Sequence, residues 1–149
     1  MKKMLIGIGN TDLGDDGVGV RVAAALGSSD WHCVDCGTVP ENFTGVVRRH
    51  HPELLVLVDA AAMDLEPGAV RRIPSERIED VGIGTHSLPL SQIIGFLSDA
   101  ANEIVLVGVQ PKATEFATGL SPEVAAAAKK LIGMLAADRL ADVPELEPR

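Results

Sequence analysis

The segment Leu54-Leu-Val-Leu-Val-Asp59 constrains this chain more than any other. Five consecutive apolar residues leave no polar alternation, so a strand here must be covered on both faces. That is the pattern of a buried parallel sheet. The run ends in a carboxylate, which would be poorly solvated there and needs a partner or a metal. Shorter runs repeat the theme. Met4 to Ile8 reads as a buried strand, with a helix following from Val18 to Leu26. Trp31 to Asp35 reads as a second strand. Pro40 to His51 reads as a helix, because Pro40 suits a first turn, Glu41 favours its positive end and Pro52 stops it.

Val70 to Ile73 follows a Pro67-Gly68 turn and is expected to be an edge strand that need not be parallel. A helix is expected from Ser87 to Ala100, with Leu90, Ile93, Ile94 and Leu97 at helical spacing. Glu103 to Val109 is the last strand. Ser121 is a suitable N-cap with Pro122 behind it, and the final helix should turn Val124, Ala128, Leu131 and Leu135 inward. The tail after about residue 141 holds two prolines and several acids and is expected to be disordered. No repeat or linker divides the chain, so residues 1–149 are expected to form a single domain. The alternation predicts an α/β fold: a three-layer sandwich around a mostly parallel twisted sheet of about five strands, with helices on both faces.

Composition agrees with that reading and excludes several partners. Aromatic residues are only 3% of the chain against 46% hydrophobic overall, so the core must be aliphatic. A formal charge of −8 argues against nucleic acid, whose phosphates are held by clustered Lys and Arg. It argues equally against an anionic membrane surface. The N-terminal apolar run is too short for a signal peptide, and nothing approaches the roughly 20 apolar residues of a membrane span. A cytoplasmic location without membrane insertion is therefore expected.

In open α/β sheets ligands bind beyond the carboxyl ends of the strands. The polar residues expected there are Asn10, Asp15 and Asp16 after the first strand, Asp35 after the second and Asp59 after the third. Thr85 and His86 precede the long helix, and Gln110 follows the last strand. Such carboxylate and imidazole donors suit Zn, Ni, Fe or Mn. The glycine-rich run from Gly7 to Gly19 is not a dinucleotide fingerprint, since Asp12 stands where G-x-G-x-x-G needs glycine. Two aspartates would also repel a pyrophosphate. Taken alone, Asp15 and Asp16 are explained as well by a helix macrodipole. The bland readings of Asp59 and His86 are a local hydrogen bond and a helix-entry histidine. His32, His50 and His51 have weaker claims. Cys33 and Cys36 have the spacing of a redox or zinc pair, but odd spacing on a strand points them to opposite faces, and no second pair completes a zinc site. A buried Cys33 and an incidental Cys36 are expected.

Taken together, the motifs Gly7-x-Gly9-Asn10-x-x-x-Gly14-Asp15-Asp16-Gly17-x-Gly19, Asp35-x-Gly37-Thr38, Leu57-Val58-Asp59-Ala60, Thr85-His86-x-x-Pro89-Leu90 and Gly108-Val109-Gln110-Pro111 resemble the nickel–iron hydrogenase maturation endopeptidases. The Pro40-Glu41-Asn42 stretch and the Thr-His-x-x-Pro-Leu motif look closest to the branch that processes formate-hydrogenlyase (hydrogenase 3) large subunits. Cys36 departs from the glycine usual beside that Asp. The resemblance implies removal of a short C-terminal extension from the large-subunit precursor after nickel insertion. It carries the family's metal-contacting and catalytic triad onto Asp16, Asp59 and His86. Asp35 matches a supporting acidic position, and Asn10, Thr85 and Gln110 are candidates for positioning the substrate. Nickel is expected to arrive with the substrate, with no organic cofactor, and a monomer is expected. Competing readings are a non-catalytic nickel-sensing chaperone of the same precursor, and a zinc peptidase or amidase of small substrates.

Overall fold

A computed structural model describes residues 1–27, 30–83 and 89–148. Among the described residues there are six strands: β1 (Lys3–Ile8), β2 (His32–Gly37), β3 (Leu54–Ala62), β4 (Val70–Ile73), β5 (Gly82–Ile83) and β6 (Glu103–Val109). The α-helices described with them are α1 (Val18–Leu26), α2 (Thr44–His50), α3 (Leu90–Phe96) and α4 (Pro122–Ala136). The main path of the sheet runs β2-β1-β3-β6-β4, and β5 pairs with the end of β3. β1, β2, β3 and β6 are mutually parallel, whereas β4 runs antiparallel on the edge beside β6.

Alternation along the strands separates two apolar layers. Leu5, Val56, Val58 and Val107 pack with α1 and α4 through Val18, Val22, Val124, Leu131 and Leu135. Met4, Ile6, Leu55, Leu57 and Leu106 pack with α2 and α3 through Val47, Leu90 and Ile93, joined by Leu97 just after α3. The result is the expected sandwich, with an aliphatic core on each face of the sheet.

The chain leaves β1 by α1 on one face to form β2. It then returns by α2 on the other face to form β3 on the opposite side of β1. The strand order therefore reverses between β1 and β3, and the two crossovers diverge there. A crevice opens at the carboxyl ends of these two strands, where such folds bind ligands.

Several boundaries differ from expectation. β2 starts one residue later and runs on to Gly37, because its pairing with β1 continues through an irregularity to Ile8. β3 extends through Ala60, Ala61 and Ala62, which pair with β6 and β5, so Asp59 lies within the strand and not at its end. The 40–43 segment is a 3-10 turn leading into α2. α3 ends at Phe96, where Ser98 and Asp99 are weak helix-interior residues. Its expected first residue, Ser87, lies outside the described residues.

The described part of the tail, residues 142–148, packs into the fold. Val143 joins the α1/α4 layer and Leu146 the opposite one. The Arg72 amide donates to the Pro144 carbonyl and the Leu146 amide to the Arg72 carbonyl, so the tail pairs with the outer edge of β4. Two apolar residues three apart are enough to anchor it, despite a composition that reads as disorder.

Candidate active site

The glycines of the N-terminal run bring α1 down onto the sheet. A Cβ on Gly19 would stand 2.0 Å from the Val58 carbonyl oxygen and 2.5 Å from that of Ile8. Only a residue without a side chain allows that approach. Gly9, at φ 144°, turns the chain sharply after β1, and its amide donates to the Gly37 carbonyl. Between them, Gly14–Gly17 forms a 3-10 turn that carries Asp15 and Asp16 over the β1/β3 crevice.

Both aspartates are buried, Asp15 at 1% exposure and Asp16 at 6%, but their surroundings differ. Asp15 Oδ2 accepts hydrogen bonds from the Lys112 and Ala113 amides and the Ser121 hydroxyl, and Oδ1 accepts one from the Ser121 amide. Burial alone would raise the Asp15 pKa; these four donors outweigh it and hold the carboxyl below its ordinary value. Among the described residues, Asp16 accepts a hydrogen bond only from the Asn10 amide, at 3.0 Å to Oδ2. A buried carboxylate with one donor has capacity left for a ligand.

Asp59, at 1% exposure, shares its strand face with Leu57 and Ala61 by alternation, the face covered by α2 and α3. Its Oδ1 accepts a hydrogen bond from the Ala60 amide at 2.8 Å. The remaining candidates are placed as follows. Asn10 closes its own turn, with Oδ1 receiving the Asp12 amide. Asp35 is exposed and its Oδ1 receives the Gly37 amide. Gln110 Oε1 receives the Met63 and Leu65 amides and so braces the turn after β3. Thr85 and His86 lie outside the described residues.

Asp16 lines a cleft of about 310 Å³. Leu13, Ala60 and Ala62 of β3, and Gly82 of β5 line it too, and Pro111 and Thr114 contribute from the loop after β6. Small side chains on the β3 side leave room for another backbone to come close.

The bland candidates fall elsewhere. His32 and His50 stack with ring centroids 4.4 Å apart at the amino-terminal end of the sheet, remote from this cleft. Burial, with His32 and Lys2 nearby, lowers the His50 pKa. The cysteines reverse their expected roles: Cys36 is the buried one and Cys33 is half-buried. They do face opposite layers. Burial, reinforced by the Asp35 charge, pushes the Cys36 thiol up to about 12. Ser121 does not cap α4 with its side chain, which goes to Asp15; Pro122 does occupy the first turn.

The model of the HycI hydrogenase maturation protease family matches residues 20–138. The chain belongs to the hydrogenase maturation protease family. The hydrogenase 3 maturation protease of Escherichia coli K12 is 36% identical over 120 residues, covering 78% of this chain and 77% of that protein. The E. coli hydrogenase 2 maturation protease is 29% identical over 139 residues, covering 85% and 83%. Among solved structures, the endopeptidase HycI of E. coli superposes with a TM-score of 0.88 at 28% identity, covering 99% of this chain and 97% of that one. The [NiFe] hydrogenase maturation protease HycI of Thermococcus kodakarensis KOD1 gives 0.82 at 29% identity, covering 93% and 92%. The cleft described above therefore lies in a maturation-protease fold, and the chain is a hydrolase of the peptide bond.

Proposed function

We propose that this chain removes the C-terminal extension of a nickel–iron hydrogenase large-subunit precursor once nickel has been inserted, and that the cleft beside Asp16 receives the cleavage segment. Membership of the maturation-protease family supports the reaction. The observation that carries the site is the placing of two buried carboxylates, Asp16 and Asp59, on the segments that meet at the β1/β3 crevice.

In this reading Asp16, Asp59 and His86 face the nickel that the precursor brings. Two carboxylates and an imidazole suit a divalent metal of intermediate softness. Such an ion polarises a carbonyl or a water held against it. The chain's own residues hold the geometry. The Asn10 amide orients the Asp16 carboxylate, the Ala60 amide orients that of Asp59, and Gln110 fixes the turn that follows β3. Leu13, Ala60, Ala62 and Pro111 give an apolar wall against which an extended peptide can lie. The protein acts in the cytoplasm as a monomer, with Asp35 a supporting acid and Thr85 a contact to the substrate backbone.

The test is to mix the protein with nickel-loaded and nickel-free precursor and follow the C-terminal mass of each. Cleavage of the loaded precursor alone is expected. Equal cleavage of both contradicts nickel checking, and a stable complex without any change in mass contradicts the protease reading.

A further inference from the structure

We infer that Asp15 is a positioning residue for the reaction: it holds the loop of residues 111–121 as a preformed wall of the cleft. This rests on the functional reading above. One carboxylate grips both ends of the loop, through the amides of Lys112 and Ala113 at 2.9 and 3.1 Å and the amide and hydroxyl of Ser121 at 2.7 and 2.8 Å. The backbone reciprocates. Asp15 and Gly14 donate to the carbonyls of Ala113 and Ala117, and the Ala117 amide donates to Asp12.

Apolar packing reaches this loop only near its end, where Leu120 lies against the α1/α4 layer; residues 112–118 are all exposed, Phe116 among them. A surface segment of that kind is ordinarily mobile. A buried charge is costly unless fully bonded, and here its four bonds all serve the loop. Pro111 and Thr114 of the same loop line the cleft with Asp16, the residue next to Asp15. The clamp thus fixes the loop's distance from Asp16, and with it the width of the site before any substrate arrives.

The experiment compares wild type, Asp15→Asn and Ser121→Ala on nickel-loaded precursor, with amide hydrogen exchange on the same proteins. Asparagine turns an NH2 against amide donors, so the clamp loses at least one charge-assisted bond. In Asp15→Asn the 112, 113 and 117 amides should exchange faster while those of β1 and β3 stay protected. Its KM should rise about tenfold or more, with a smaller fall in kcat, as expected for the loss of a bond to a charged group. Ser121→Ala removes only the hydroxyl and should move both readouts in the same direction by less. It decides the matter if Asp15→Asn fails to fold. Unchanged kinetics in a variant whose loop exchanges freely would overturn the positioning role, as would a fall in kcat with KM unaltered. Wild type that leaves the precursor uncut overturns the functional reading, and this role with it.

Discussion

The neighbouring residues Asp15 and Asp16 show how little type and burial alone decide. Both are buried acids in one 3-10 turn, yet Asp15 is saturated by loop donors and Asp16 retains capacity beside the cleft. Gly19 makes their placement possible. Gly19→Ala should destabilise the fold by about 3 kcal/mol through overpacking against the Val58 and Ile8 carbonyls, read as a lowered denaturant midpoint with an unchanged m-value. A midpoint equal to wild type would mean that α1 can lift off the sheet freely. Cys36 gives a second prediction. With its thiol pushed up to about 12, the thiolate fraction at pH 8 is on the order of one in ten thousand. The native protein at pH 8 should leave Cys36 unlabelled by a thiol reagent, and denaturation should release it. Rapid labelling of Cys36 in the native state contradicts its burial. At this scale the sequence signalled Asp16 and Asp59 because acids beyond apolar strands stand out. The partners of Asp15 were hidden, since Lys112, Ala113 and Ser121 lie about a hundred positions away and all three bond through backbone amides that carry no residue signature, Ser121 adding its hydroxyl.

Elements were most legible where apolar periodicity is uninterrupted. The expected inner face of α4 is the buried one, and β6 has its expected bounds. β3 outruns its expected end because three alanines carry little strand signal, although pairing with β6 and β5 draws them in. The tail departs from its expected disorder for a related reason: its prolines and acids conceal Val143 and Leu146, which are buried where β4 offers an edge. Removing residues 142–149 should cost about 3–6 kcal/mol, from two aliphatic side chains at roughly 1.5–3 kcal/mol each. For a chain of this size that is a fall of roughly 10 °C in Tm, measurable by calorimetry. A truncated chain that melts with wild type would show the tail to be an idle appendage. In the opposite direction, Gly133→Ala on the exposed side of α4 meets nothing within 4 Å and should stabilise by about 0.5–1 kcal/mol through helix propensity.

At the scale of the whole molecule, the site follows from topology. The order β2-β1-β3-β6-β4 puts the reversal between β1 and β3, and Asp16 and Asp59 belong to the segments that flank it. Strand-end residues could be read from sequence, but which two ends adjoin the crevice depends on the crossover faces, and no local pattern records those. The central claim is that one cleft at this reversal performs the cleavage, and it is tested most directly by the acids themselves. Nickel-loaded precursor is incubated with wild type, Asp16→Asn, Asp59→Asn and His86→Ala, and release of the C-terminal extension is followed by mass, with the fold of each variant checked by circular dichroism. Cleavage by wild type is expected, with each folded variant slowed by about a hundredfold or more, the usual scale for losing one transition-state contact. A folded Asp16→Asn or Asp59→Asn that cuts at the wild-type rate would contradict the account.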